Sequence, residues 1–273
     1  MTLASDHTAW PVARSGAHGV HEDRCAADPT APMKDWIYET PALGFVVSGW
    51  FDYISEGRAA FAAPGAIVLG NAGEHFNVRH HDGNGNKRLV VLMQQTILDE
   101  VANDVGLDAP RFRTIALAPG PEATRMFSWM RVIADGGDTA EEYEYMLASA
   151  ALAAPAWRPR RMRVSAQDHK RALDAARYIE THFPERCALA TLAGLTQSSR
   201  YQLIRAFSAI MGQSPNQYLI NTRIRAAAEL LRTSPAPITQ VALDVGFNDI
   251  SHFYTCFKAA FGATPRKWRL AHA

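Results

Sequence analysis

The sequence predicts an α+β protein of two domains. An antiparallel, β-rich N-terminal half with flanking helices precedes an all-α half in which a long helix joins two helix-turn-helix units. Three observations lead there. From about Leu43 to Met93, short apolar runs are punctuated by Gly, Pro and Asn, as in strands joined by turns. Beyond residue 168, apolar residues recur at helical spacing instead. Finally, the stretch from Phe207 to Pro215 returns near the end of the chain, with Phe207 and Phe257, Ala209 and Ala259, Gly212 and Gly262, and Pro215 and Pro265 all offset by fifty positions.

The chain has 273 residues, enough for two separate cores. Its charge is divided between the halves. Residues 1–154 carry 11 Lys and Arg against 20 Asp and Glu, a net −9, whereas residues 155–273 carry 17 against 7, a net +10. A basic module of this size is the electrostatic footprint of a protein that meets a polyanion. The sequence contains no apolar run of about 18 residues and no basic-then-apolar leader, so a cytoplasmic protein without membrane contact is expected. Cys25, Cys187 and Cys256 are scattered, without the spacing of a zinc site, and read as reduced, structural thiols.

In the N-terminal half, a strand is predicted over Phe45 to Tyr53, a turn at Glu56-Gly57-Arg58, a strand over Ala59 to Phe61, and further strands in APGAIVL and KRLVVLM. Together they suggest an antiparallel barrel or sandwich. Helices are predicted over Pro121 to Ala134 and Ala140 to Ala153. Their apolar faces, Met126, Trp129, Met130 and Ile133, then Tyr143, Met146, Leu147 and Ala150, would pack on the strands or pair across a dimer. Ala154 to His169 reads as an exposed linker, centred on 155–167, because Pro155 and Pro159 disfavour helix and Arg158, Arg160, Arg161 and Arg163 crowd like charges.

In the C-terminal half, Leu173, Ala176, Ile179 and Phe183 mark an opening helix that Pro184 ends. Leu189, Leu192 and Ala193 give a short helix, Gly194 to Gln197 a turn, and Ser198 or Ser199 the cap of a second helix with Leu203, Ala206, Phe207 and Ile210 inward. A longer helix should run from about Pro215 to Leu231, burying Tyr218, Leu219, Ile224, Ala227, Leu230 and Leu231. The unit then recurs: Ile238, Val241 and Ala242, the turn DVGFND, and a helix from Ile250 to Phe261 with Phe253, Phe257 and Phe261 inward. Gly212 and Gly262 suit left-handed helix ends, and Ser214 and Thr264 can each cap the next helix.

Ala193, Phe207, Arg223 to Leu231, Ile238 to Phe247 and Phe257 to Arg269 together resemble the DNA-binding domain of AraC/XylS-family transcription regulators. The resemblance covers about 100 residues. It implies two recognition helices entering successive major grooves of promoter DNA, roughly 34 Å apart. It also implies a sequence-specific regulator that is not an enzyme, acts as an activator, forms a homodimer and works with RNA polymerase. Carried over by position, the first recognition helix offers Arg200, Tyr201, Ile204 and Arg205. Arg205 is the candidate for a bidentate contact to guanine O6 and N7, with a phosphate contact or a surface ion pair as the alternatives. The second offers Ile250, Ser251, His252, Tyr254 and Thr255, and Thr255 stands where many relatives have Arg, so this half should carry less sequence information. Ser198, Ser199, Asn248 and the amides at the two helix starts are expected to position phosphates.

The N-terminal half resembles, through weaker motifs, the cupin-like sensor domain found in such regulators. A small-molecule effector would sit among Trp36, Tyr38, Phe45, Trp50, Phe51, Tyr53, Phe61 and Phe76. The candidate effector-binding residues are Trp50, Tyr53, His75, His80 and His81. Glu74, His75, His80 and His81 are grouped in sequence, but they lack the pattern of metal-binding cupins, two histidines one residue apart and then a carboxylate. No metal, cofactor or catalytic residue is therefore predicted, and a polar loop between strands is the simpler reading. The rival classes are a cupin-like isomerase or dioxygenase, which needs a metal triad, and a methyltransfer DNA-repair protein, which needs reactive cysteines in its N-terminal part.

Overall fold

The computed structural model describes residues 19–25, 35–81, 85–136, 140–156 and 165–272. The linker arginines Arg158, Arg160, Arg161 and Arg163 lie outside the described residues. The chain falls into two units, one reaching through the helix that ends at Ala153 and one from Ser165 onward, with residues 119–125 grouped with the second.

The N-terminal unit contains β1 (Val20–Cys25), β2 (Trp36–Ile37), β3 (Ala42–Ser48), β4 (Phe51–Ser55), β5 (Arg58–Ala62), β6 (Ile67–Gly70), β7 (His75–His80), β8 (Asn86–Leu92) and β9 (Ala116–Leu117). All described pairings are antiparallel. The strands do not close into the expected barrel. They form a five-stranded sheet, β1-β8-β3-β6-β9, and a four-stranded sheet, β2-β7-β4-β5. The reason is visible between β3 and β4, where the sequence suggests one continuous strand from Phe45 to Tyr53. The β3–β8 register shifts between Val46 and Ser48. Gly49 then takes φ +90, and a Cβ there would lie 2.2 Å from the Gly85 carbonyl oxygen. The chain turns this corner out of one sheet and into the other.

Alternation along β3 divides the faces. Val46, with Val68, joins Phe51, Tyr53, Ala62, Ala66 and Ile115 in a core that unites the two sheets. Phe45 lies on the other face and stacks on Phe127, centroids 3.9 Å apart, so it packs against a helix and does not line the space between the sheets. The β4–β5 hairpin turns through Glu56 (φ 48) and Gly57 (φ 70), both left-handed, as a two-residue hairpin requires.

Helix α1 (Gln95–Asp104) is absent from the sequence reading because its N-cap, Gln94, makes no side-chain cap and its first turn has no acid. It packs on α3 (Ala140–Ala153). Helix α2 (Pro121–Asp135) buries Met126, Met130 and Ile133 as expected, with Trp129 half-buried. In α3 the inward face is turned by about one position. Leu147, Ala148, Ala151 and Leu152 are buried, while Met146 is 39% exposed. Among the described residues no helix is long and apolar enough to cross a membrane.

The C-terminal unit comprises α4 (Ala166–His182), α5 (Leu189–Leu195), α6 (Arg200–Met211), α7 (Pro215–Thr233), α8 (Ile238–Asp244), α9 (Ile250–Phe261) and α10 (Pro265–His272). Helix α4 begins inside the segment expected to be linker, because Ser165 caps it by accepting a hydrogen bond from the Asp168 amide, 3.0 Å. The first half of α7 meets the first helix-turn-helix, with Tyr218 edge-on to Phe207 at 5.5 Å. Its second half supplies Ile224, Ala227, Ala228 and Leu231 to a core with Val241, Ala242, Phe247, Phe253, Phe257, Phe261 and Trp268. Leu230, expected inside, is 36% exposed.

Three arginines fasten this frame. Arg223 of α7 donates from Nε to the Phe183 carbonyl at 2.7 Å and from Nη2 to the Glu185 carbonyl at 2.8 Å. Its guanidinium also lies 5.9 Å from the Phe247 ring centroid. Burial pushes its pKa down from the ordinary arginine value, against the opposing influence of Cys187. Arg225 pairs with Glu180 of α4 at 3.0 Å. Arg269 of α10 donates to the carbonyls of Leu231 at 3.2 Å and Ala236 at 2.6 Å, serving the C-terminal end of α7.

Gly246 completes the joint, at φ +93 with Pro184 O only 2.5 Å from where a Cβ would lie. Gly262 has φ +71 but open space around it. Urea unfolding of the full chain should therefore separate two substitutions of one kind. Gly262→Ala is expected to cost about 1 kcal/mol from the left-handed backbone, and Gly246→Ala roughly 3 kcal/mol or more because a steric clash is added. In the same assay Arg223→Lys keeps the charge but loses the two-carbonyl fork, and should cost about 1–2 kcal/mol.

Candidate nucleic-acid interface

The two helix-turn-helix units end their first helices in the same way. In α5 the Ser198 amide donates to Ala193 O at 3.0 Å and the Gln197 amide to Gly194 O at 3.2 Å. In α8 the Phe247 amide donates to Ala242 O and the Gly246 amide to Leu243 O, both at 2.9 Å. These are paired Schellman ends, with Gln197 (φ 48) and Gly246 (φ 93) in the left-handed position. Ala193 and Ala242 are buried, at 5% and 0% exposure, which lets each second helix cross closely.

Of the two serines, Ser199 is the cap of α6. Its Oγ accepts from the Gln202 amide at 3.2 Å, and Gln202 Oε1 accepts from the Ser199 amide at 3.0 Å, a reciprocal capping box. The Ser198 hydroxyl instead pairs with Thr196 Oγ1 at 2.9 Å. With Leu203, Ala206, Phe207 and Ile210 buried, the opposite face of α6 is presented outward. Arg200 is exposed, Tyr201 is 75% exposed and Ile204 38%. Arg205 has a 59% exposed side chain and lies 3.9 Å from Asp168 of α4. The four positions derived from the sequence thus share one convex, cationic and aromatic surface.

The α9 surface differs in character. Ser251, His252 and Thr255 are exposed, whereas Ile250 and Tyr254 are half-buried against the aromatic core. Thr255 Oγ1 donates back to the Ser251 carbonyl at 2.9 Å, which leaves chiefly its methyl outward. His252 Nε2 lies 3.3 Å from Cys256 Sγ, and its ring lies edge-on to Phe247. Asn248 is exposed in the turn. The α9 amides expected to be available for phosphate are already used, since Asp249 Oδ1 accepts from Ser251 N at 2.8 Å and His252 N at 3.2 Å. A carboxylate at that helix start repels a phosphate where a bare N-terminus would attract one.

The candidate effector residues are not brought together as one cluster. Tyr53 is fully buried between the sheets. Its hydroxyl donates to Leu69 O at 3.2 Å and lies 2.8 Å from Tyr38 OH. Burial, then Tyr38, pushes its pKa well above the ordinary tyrosine value. Trp50 is buried at 8% exposure. His75 is exposed, with Nδ1 2.9 Å from Asp35. His80 lies at the far end of β7 with its ring 6.2 Å from Phe51, and His81 Nε2 sits 3.1 Å from Asp52.

Glu74, grouped with these histidines in sequence, is a structural fastening. At 6% exposure it accepts from Arg111 at 2.7 Å, Arg58 at 3.3 Å and the Asn71 amide at 3.2 Å. Among the described residues no three His, Cys, Asp or Glu side chains gather as a metal set. Sequence reading did not single out Asn71, which exchanges two hydrogen bonds with the Phe112 backbone. It also passed over Arg88, whose guanidinium lies 5.8 Å from the Phe51 centroid.

Comparison with known proteins agrees with the geometry of the helical unit. Residues 192–271 match the family described as a helix-turn-helix domain. The HTH-type transcriptional activator RhaS of Enterobacter sp. (strain 638) is 34% identical over 92 residues, 34% of this chain and 33% of that protein. The bifunctional transcriptional activator/DNA repair enzyme AdaA of Bacillus subtilis (strain 168) is 33% identical over 92 residues, 34% of this chain and 44% of its own length. The matches therefore span less than half of these relatives. A transcriptional regulator structure from Chromobacterium violaceum with an AraC-type DNA-binding domain is 28% identical, covering 40% of this chain and 97% of that one, at a TM-score of 0.37. Residues 192–271 therefore carry a helix-turn-helix domain similar to those of HTH-type transcriptional regulators.

Proposed function

We propose that the protein is a cytoplasmic, sequence-specific regulator that binds promoter DNA through α6 and α9 and activates transcription together with RNA polymerase. The observation that carries this reading is the α6 surface, where Arg200, Tyr201, Ile204 and Arg205 point outward from a helix whose other face is locked into a core. The similarity to RhaS, a transcriptional activator, favours activation over repression. The domains we assign are 1–154 for effector sensing and dimerisation and 168–273 for DNA binding, with a basic linker between them over 155–167, whose last residues from Ser165 already belong to the start of α4. Two antiparallel sheets sharing an aromatic core support a cupin-like sensor, and an effector acts there only through a difference in its affinity for two states of the protein.

The two recognition helices contribute unequally in this reading. Arg205 reads guanine, while α9, with an Asp at its start and Thr255 in place of a base-reading arginine, contributes docking through Ser251, His252, the Thr255 methyl and the flanking Asn248. The DNA-repair alternative, raised by the AdaA relative, needs a reactive thiolate. That class relies on a cluster of cysteines in the N-terminal part, where this sequence has Cys25 alone.

Fluorescence anisotropy of the full chain on DNA from its own upstream region, against scrambled DNA at several salt concentrations, tests the reading. Arg205→Ala is expected to lose about 1–3 kcal/mol of discrimination while keeping salt-dependent binding to both DNAs. Equal preference in the variant and the parent would sink Arg205 as the base reader. Thr255→Arg should tighten binding to both DNAs and steepen the salt dependence by about one phosphate contact's worth, and an unchanged salt slope would show that position 255 does not face DNA.

A further inference from the structure

Asp168 is the one acidic group described within ion-pair reach of the α6 surface, and it belongs to a different helix. It stands in the first turn of α4, where its amide is fixed by the Ser165 hydroxyl at 3.0 Å. Its two carboxylate oxygens face two different guanidinium groups. Oδ1 accepts from Arg171 Nη1 at 3.1 Å, and Oδ2 lies 3.9 Å from Arg205 Nη2. The Asp168 and Arg171 side chains are 17% and 20% exposed, whereas that of Arg205 is 59% exposed.

The differences in distance and exposure have a physical meaning. Arg171 lies three residues along the same helix, so it locks the carboxylate in one orientation without involving α6. The remaining oxygen then attracts the end of a long side chain that would otherwise sample many rotamers. At 3.9 Å the attraction is electrostatic and short of a hydrogen bond, so the Arg205 donors stay available for a base edge. Restricting a flexible side chain before docking lowers the ordering cost of binding. A fixed negative charge beside the same surface also opposes non-specific approach of phosphates.

We propose that Asp168 is a positioning residue for base readout, holding Arg205 over the groove-facing surface of α6 and so raising preference for the target sequence at the expense of general DNA affinity. The proposal rests on Arg205 being the base reader. A tight structural role would not produce that pair of opposite effects, because misfolding weakens binding to every DNA.

The test uses the full chain and a duplex selected by it from a randomised library, with a scrambled duplex as reference, at one fixed salt concentration. Asp168→Asn is expected to lower the ratio of the two affinities roughly threefold, the scale of an exposed ion pair, while affinity for scrambled DNA stays level or rises. Asp168→Glu keeps the charge and should retain the preference. Asp174→Asn removes an acid from the same helix whose ion pairs run along α4, and should behave as the parent does. In an Arg205→Ala background, Asp168→Asn should change the ratio no further. The positioning role is overturned if Arg205→Ala loses the preference and Asp168→Asn keeps it. It is overturned equally if Asp168→Glu falls as far as Asp168→Asn, or if Asp168→Asn lowers the ratio as much without Arg205 as with it. Full preference in Arg205→Ala would instead bring down the base-reader reading, and this proposal with it.

Discussion

Arg223 makes one frame out of two similar helical units. It sits on α7, which both units share, and reaches the two carbonyls that close the loop after α4, with Phe247 of the second turn beside it. That loop in turn lies against Gly246, where no side chain fits. The contact is demanding because it is built on backbone carbonyls and a glycine, groups that cannot rotate out of the way. Two similar helices keep a set separation and rotation only if the frame between them is stiff, and here a half-buried hydrogen-bonded fork supplies that stiffness.

Much of the helical unit was legible in the sequence because its signals are local. Apolar spacing, Ser caps and glycine ends are written within a few residues of the structures they specify, so α6, α7 and α9 stand within about two residues of their expected bounds. The misses were of a different kind. The start of α4 was hidden by its basic neighbourhood, and Leu230 fits the helical pattern but falls at the edge of the buried arc. Asp249 reads as one polar residue of a turn until its two amide partners are known.

The N-terminal unit was less legible, because sheet organisation is set by pairings between distant segments. Nothing local announces that the chain leaves one sheet at Gly49, or that Phe45 and Val46 serve opposite layers. The histidines show the same limit. Proximity along β7 placed His75, His80 and Glu74 together on paper, but alternation and the length of the strand separate them, and Glu74 is taken by two arginines from elsewhere. The candidate DNA-facing surface is a pattern that periodicity reveals, whereas a ligand site between sheets would depend on which side chains leave space, a property of the whole packing.

The left-handed residue at the first turn has a consequence for local stability. Gln197 carries a Cβ where the second unit has Gly246, so the first turn holds backbone strain that the second avoids. Under native conditions the amides around α5 and the start of α6 will open ahead of those in the aromatic second core, and hydrogen exchange will grade the two units accordingly. The helix that carries Arg205 is therefore mounted on the softer of two nearly repeated frames.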